Sequence, residues 1–115
     1  MAMKKIVRKY DNSAEFIIGD HYVNIQRLVK KATNESKGYA TQIGDRYVVT
    51  AGTLIMDGPE PLKSTGPIGF CFRDVDVTEG DAMIAVTVHA VVQESALPAE
   101  ISAENKAALK GIIFV

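Results

Sequence analysis

Between Asp81 and Glu94 the chain runs from Ala82 to Gln93 without a charge, and apolar side chains fall on every second position: Ile84, Val86, Val88, Ala90 and Val92. A period of two is that of an extended strand, whose side chains point to alternate faces, whereas a helix repeats at three and four. The intervening residues, Ala85, Thr87, His89, Val91 and Gln93, are only mildly polar, so this strand is read as the cleanest in the chain. The stretch is too short to cross a bilayer as a helix, which takes about 20 apolar residues, and His89 interrupts it. A chain built around such a segment is committed to a sheet.

The other apolar segments follow the same period. Tyr47, Val49, Ala51, Thr53 and Ile55 alternate with Val48, Thr50, Gly52, Leu54 and Met56, which predicts a buried strand bent or bulged at Gly52. Residues 57–67 hold three prolines and two glycines and form a stiffened loop. Ile68, Phe70 and Phe72 share one face of the next strand, and the apolar parity then flips to Val75 and Val77, which predicts a bulge near Arg73-Asp74. Thr78 to Asp81 is a turn. Upstream, Phe16-Ile17-Ile18 closes on the turn pair Gly19-Asp20, His21 to Val29 reads as a broken strand, and Lys30 to Gly38 reads as a loop.

Near the end, Ser102 is placed to cap a helix from Ala103 to Lys110 with Gly111 as its C′ residue. Ile112-Ile113-Phe114-Val115 then reads as a final strand, because four large apolar residues need a sheet to bury them. The expectation is five or six short strands, one short C-terminal helix and long connections: a mainly β domain without βαβ repeats.

At 115 residues, 47% hydrophobic and 23% charged, the chain has the size and composition of one globular domain. The start, MAMKKIVRK, offers Ile6 and Val7 as its only strong apolar anchors, so residues 1–13 are expected to form a flexible basic arm ahead of a single β-rich domain spanning 14–115. No apolar stretch of the kind a secretory leader carries follows the basic start. The single cysteine excludes an internal disulfide framework. The net charge of −1 does not suggest a nucleic-acid binder, and the basic start lacks interleaved aromatics apart from Tyr10. That balance conceals an asymmetry: residues 1–46 carry nine Lys/Arg against five acids, and residues 47–115 four against nine, so the halves stand at +4 and −5. Opposite halves of this kind can favour head-to-tail contacts or docking on a partner, but ordinary solvated surface is the simpler reading, and charge alone does not decide between them.

Catalytic and metal patterns fail on inspection. Asp74-x-Asp76-x-Thr78-x-Gly80 invites comparison with a calcium loop, but the sixth and twelfth positions hold Glu79 and Ala85 where glycine and glutamate are required; an acidic β-turn is the better reading. Cys71, His21 and His89 are the only soft metal ligands, and none has a motif partner. Cys71 lies between Phe70 and Phe72, which suppresses thiolate formation and marks a packed thiol. His89 reads as a surface or subunit-interface histidine. No phosphate loop, GxSxG or HExxH occurs, and Asn34-Glu35-Ser36 matches a glycosylation sequon without a secretory context.

From Val49 onward the short motifs fall in a recognisable order: Ala51-Gly52-Thr53, then Asp74 to Thr78 with Gly80-Asp81, then Val88-His89, Leu97-Pro98 and Leu109 to Val115. This order, over residues 47–115, resembles the head decoration proteins of tailed bacteriophages, the lambda gpD-like family. Two departures are Ala90, where glycine is common, and a longer, more basic region 1–46. The resemblance implies a β-clip-like, gpD-like domain with an extended N-terminal arm, assembling as a homotrimer. Such trimers sit on the outside of the expanded capsid at three-fold and quasi-three-fold positions and cement the major capsid protein, without catalysis and without a cofactor. The resemblance places this chain on the virion, after synthesis in the bacterial host cytoplasm. Family members use the N-terminal segment to contact the capsid, often by extending a coat-protein sheet, which makes Lys4, Lys5, Ile6, Arg8, Lys9 and Tyr10 the candidate capsid-binding residues. The apolar strand faces at Ile68–Phe72 and Ile84–Val92, which one small helix covers only in part, are expected to be buried around the three-fold axis.

Two other classes remain. An "AGT-aliphatic" strand followed by a Pro/Gly loop also occurs in β-clip modules that bind small carbohydrates. A stand-alone enzyme would have to use His89 with an acid such as Asp76 or Asp81.

Overall fold

A computed structural model of the chain describes residues 15–32, 38–58, 60–61 and 64–115. Among them are eight strands and one α-helix: β1 (Val23–Val29), β2 (Thr41–Ile43), β3 (Arg46–Val49), β4 (Leu54–Met56), β5 (Pro67–Cys71), β6 (Val75–Asp76), β7 (Ala82–Val92), α1 (Ala103–Ala108) and β8 (Ile112–Phe114). The larger sheet runs β1-β7-β5-β4, with β8 added to β7, and a smaller sheet runs β2-β3-β6. The protein is thus mainly β with one short helix, and its radius of gyration of 13.7 Å is that of one small domain.

The uncharged strand that dominates the sequence is the spine of the molecule. Along Ala82 to His89, β7 pairs antiparallel with β1, while Val86 and Thr87 also pair with β5. Its far end, Ala90 to Val92, takes β8 in parallel. Phe16 to Ile18 lie against the same end through an Ile17–Val92 bridge, with Ile18 N–H donating to Val91 O at 2.8 Å and Gln93 N–H to Phe16 O at 2.7 Å.

The even-numbered apolar residues of β7 do not share one face. Val23 pairs with His89 but Asn24 pairs with Thr87, so Val88 is an extra residue on β7, a β-bulge. Ahead of it Ile84 and Val86 join one core with Val29, Tyr47, Val49, Ile55, Cys71 and Val77, between the two sheets. Beyond it Ala90 and Val92 join a second core with Phe16, Phe70, Phe72, Leu109 and Ile112, on the opposite face of the larger sheet. One strand therefore serves two cores. At the changeover Thr87, fully buried, donates its hydroxyl to Asn24 Oδ1 at 2.7 Å.

Two predicted irregularities are changes of sheet. The run 47–56 is not one bent strand: Gly52, at φ +89°, sits in a turn closed by Thr53 N–H to Thr50 O at 3.1 Å, and the chain passes from β3 in the smaller sheet to β4 in the larger. Likewise the parity flip at Arg73-Asp74 is the chain leaving β5 for β6 in the smaller sheet. Those two crossings raise the strand count above the five or six expected.

The helix also ends early. Ser102 caps α1, its hydroxyl accepting from Asn105 N–H at 3.1 Å, but the helix stops at Ala108, with Leu109 as C-cap. Gly111 is not a left-handed C′ residue. It is glycine because a Cβ there would run into the Val88 carbonyl oxygen of the bulge. Gly69 in β5 faces the Thr87 carbonyl in the same way.

The faces offered to a trimer by the sequence are used within the chain. Phe70, Cys71, Phe72, Ile84, Val86 and Val92 are all buried in a single protomer, because the smaller sheet covers one side of the larger while α1 and the Phe16 segment cover the other.

Candidate functional site

The candidate capsid-binding residues Lys4, Lys5, Ile6, Arg8, Lys9 and Tyr10, and with them the proposed arm 1–13, lie outside the described residues. The functional surface is therefore built from Glu15 onward.

The acidic stretch from Asp74 to Asp81 consists of braces between strands. Asp74 Oδ1 accepts from Ala51 N–H at 2.7 Å, holding the turn that carries Gly52. Asp76 Oδ2 accepts from Arg46 Nε at 2.8 Å, and Asp76 Oδ1 accepts from Thr78 N–H at 2.8 Å. The Arg46 hydrogen bond, aided by Thr78, holds the Asp76 carboxyl down at about 2. Tyr47 N–H donates to Thr78 Oγ1 at 2.7 Å. Asp81 Oδ1 accepts from Lys31 N–H at 2.7 Å, and its other oxygen lies 4.0 Å from Lys30 Nζ. Lys30 and Arg46 come from the basic half of the chain, Asp76, Glu79 and Asp81 from the acidic half. Part of the charge asymmetry is thus satisfied inside the chain.

Cys71 is fully buried, and burial pushes its thiol up to about 12. Its Sγ donates to Arg73 O at 3.1 Å, so it packs as a small hydrophobe. His89 is exposed, and the ring beside it is that of His21, centroid to centroid 6.0 Å. Asp76 and Asp81 are engaged by Arg46 and the Lys30-Lys31 pair. Among the described residues, no group of three or more His, Cys, Asp or Glu is placed to hold a metal ion.

The loop 57–67 is closed at its base. Asp57 N–H donates to Gly66 O at 2.7 Å, and Thr65 Oγ1 to Asp57 Oδ2 at 2.7 Å. From below, the Tyr39 hydroxyl accepts from Met56 N–H at 3.1 Å and donates to Gly58 O at 2.9 Å. A cleft of about 380 Å³ opens beside Tyr39, Pro61, Pro98 and Ile101. Tyr39 is buried, so its ring presents no open face on which a sugar could stack.

The surface feature that stands out is apolar. Ile18 sits opposite Val91, and Val91 opposite Ile113, so the three side chains form a row across the sheet on the face away from the second core. Ile18 is 45% exposed, Ile113 59% and, two residues on, Val115 64%. A cleft of about 540 Å³ opens beside Val115, lined by Leu97 and Pro98 and also by Glu94, Ser95 and Glu100. Counting Ile112 to Val115 as one buried block, as the sequence invites, misses this row. The signal was there in the period of two: a strand at an edge buries only alternate residues.

No protein-family model, no curated protein and no solved structure matches the chain.

Proposed function

We propose that this protein is a decoration protein of a tailed-phage head, binding the outside of the expanded shell as a homotrimer and stabilising it, without catalysis or a cofactor. The observation that carries the proposal is where the motif residues of the resemblance fall. Ala51-Gly52-Thr53 is the sheet-crossing turn that Asp74 braces, and Asp76, Thr78 and Asp81 tie β6 and the following turn to Arg46, Tyr47 and Lys31. A Cβ on Gly52 would meet Pro98 Cδ at 2.8 Å and Leu97 Cδ2 at 3.4 Å. Leu109 to Val115 completes the second core and the larger sheet. These residues are joints of one architecture rather than members of a reactive cluster, so the likeness concerns how the chain is built. The row Ile18–Val91–Ile113 with Val115 is the apolar surface that a neighbouring subunit would cover.

In this reading the N-terminal arm supplies the contact to the major capsid protein, its backbone extending a coat sheet and its lysines and arginines facing an acidic shell. Co-sedimentation with expanded capsids tests the function. Full-length protein pellets with the shells, less so as salt rises, and removal of residues 1–13 abolishes pelleting while the folded trimer persists in light scattering. Full-strength pelleting by the truncated protein overturns the arm mechanism, and a stable 12.5 kDa species at tens of micromolar overturns the trimer. Failure to pellet, with measurable affinity for an oligosaccharide, would favour a carbohydrate-binding module instead.

A further inference from the structure

We infer that His21 and His89 together form a binding site for a borderline divalent transition-metal ion, Zn²⁺ or Ni²⁺, which fastens the chain entering β1 to the central strand. The two histidines are 68 positions apart in sequence, so no ligand spacing reveals them. The fold brings them to a ring-centroid separation of 6.0 Å with the planes 58° apart. Two metal–nitrogen bonds of about 2.0–2.1 Å, each ending on a ring edge, span a separation of this size.

His89 is held by the backbone of β7, and His21 lies two residues ahead of β1. His89 follows the Val88 bulge and pairs with Val23. Tyr22 is seated against Phe72, ring centroids 5.1 Å apart, on the face of the larger sheet that carries the second core. One residue before Tyr22, the His21 ring lies beside that of His89. Both side chains are exposed, so each can turn a nitrogen toward a common point, and water is at hand for the remaining coordination positions. Imidazole suits zinc, nickel and copper, whereas Mg²⁺ and Ca²⁺ demand oxygen ligands. Two protein ligands make an open, exchangeable site rather than a closed structural one. Its occupation ties His21 to β7, and an ion bound only by the folded chain raises stability with its concentration.

The test uses untagged, chelator-treated protein titrated calorimetrically with ZnCl₂ and with NiCl₂, alongside melting curves at each metal concentration. The wild type is expected to bind one ion per chain and to melt higher as metal rises, with no response to MgCl₂. His21→Gln and His89→Gln each remove both effects down to the level of the double variant, while melting without metal is unchanged because the side chains are exposed. Binding that survives in either single variant, an equal response to Mg²⁺, or a wild type no different from the double variant overturns the inference. Capsid binding and oligomeric state play no part in these readouts, so the result stands apart from the proposed function.

Discussion

Ile112 and Ile113 are chemically identical neighbours on β8 that the structure places on opposite faces, 7% and 59% exposed. Replacing each by alanine isolates the register of the final strand. Ile112 sits in the second core with Phe70, Val92 and Leu109, so Ile112→Ala loses nearly all of its transfer free energy and leaves a cavity, in the range of about 2–5 kcal/mol for such truncations. Ile113 keeps more than half of its surface in water, so Ile113→Ala forfeits a fraction of the roughly 1.5–3 kcal/mol of full burial, about 1 kcal/mol, with no cavity. The expected gap is about 2 kcal/mol. For a chain of this length that is a difference in melting temperature of about 8–12 °C. Urea unfolding followed by circular dichroism measures it, at two protein concentrations because Ile113 belongs to the proposed subunit surface. The Ile112 loss should not depend on concentration; any concentration-dependent part of the Ile113 loss reports assembly. Equal losses, or a larger loss at Ile113, would mean that β8 is slipped by one residue against β7, and the placement of both residues would be wrong.

Three further outcomes rest on individual contacts. Asp76, held at about 2 against about 3.9 in an unfolded chain, contributes stability that is complete above about pH 4 and is lost as pH falls toward 2. Asp76→Asn should therefore lower the unfolding free energy from urea titration at pH 7 but not at pH 2, by less than about 1 kcal/mol since the pair is exposed; a gap equal at both pH values refutes the assignment. Cys71 should ignore an aromatic disulfide reagent at pH 8 until the protein unfolds, and rapid labelling of native protein would place it outside the core. Gly69→Ala, whose Cβ meets the Thr87 carbonyl, should cost more than about 3 kcal/mol or prevent folding, while Gly80→Ala, with open space around it, stays within about 0.5 kcal/mol; similar melting temperatures for the two would contradict the β5–β7 pairing.

The legible parts of the fold were those set by local chemistry. The extended strand over 84–92, the Ser102 cap and the final strand all depend on residues close in sequence, and all are present. Partner choice was not legible. Gly52 and Arg73-Asp74 announce an irregularity, but nothing in the alternation says whether the chain bends within one sheet or crosses to another. The Val88 bulge is silent for a related reason: both cores are apolar, so moving Ala90 and Val92 from one to the other leaves no polar residue out of step. The juxtaposition of His21 and His89 depends on the β1–β7 register and is invisible for the same reason. The arm nominated for capsid contact lies outside the described residues, so its role rests on sequence alone.

The bulge at Val88 also makes length, more than composition, the sensitive variable in β7. A substitution at position 88 changes one side chain on a partly buried surface. Deleting Val88 itself restores regular alternation and leaves Thr87 opposite Asn24 and His89 opposite Val23, so the residues beyond it keep their faces. One residue inserted after His89 would instead turn Ala90 and Val92 away from Phe70 and Leu109 and Val91 toward them. A population of variants of this protein should accordingly show insertions collecting in the loops and stopping short of Ala82 to Val92, with a deletion inside β7 tolerated only at its bulge.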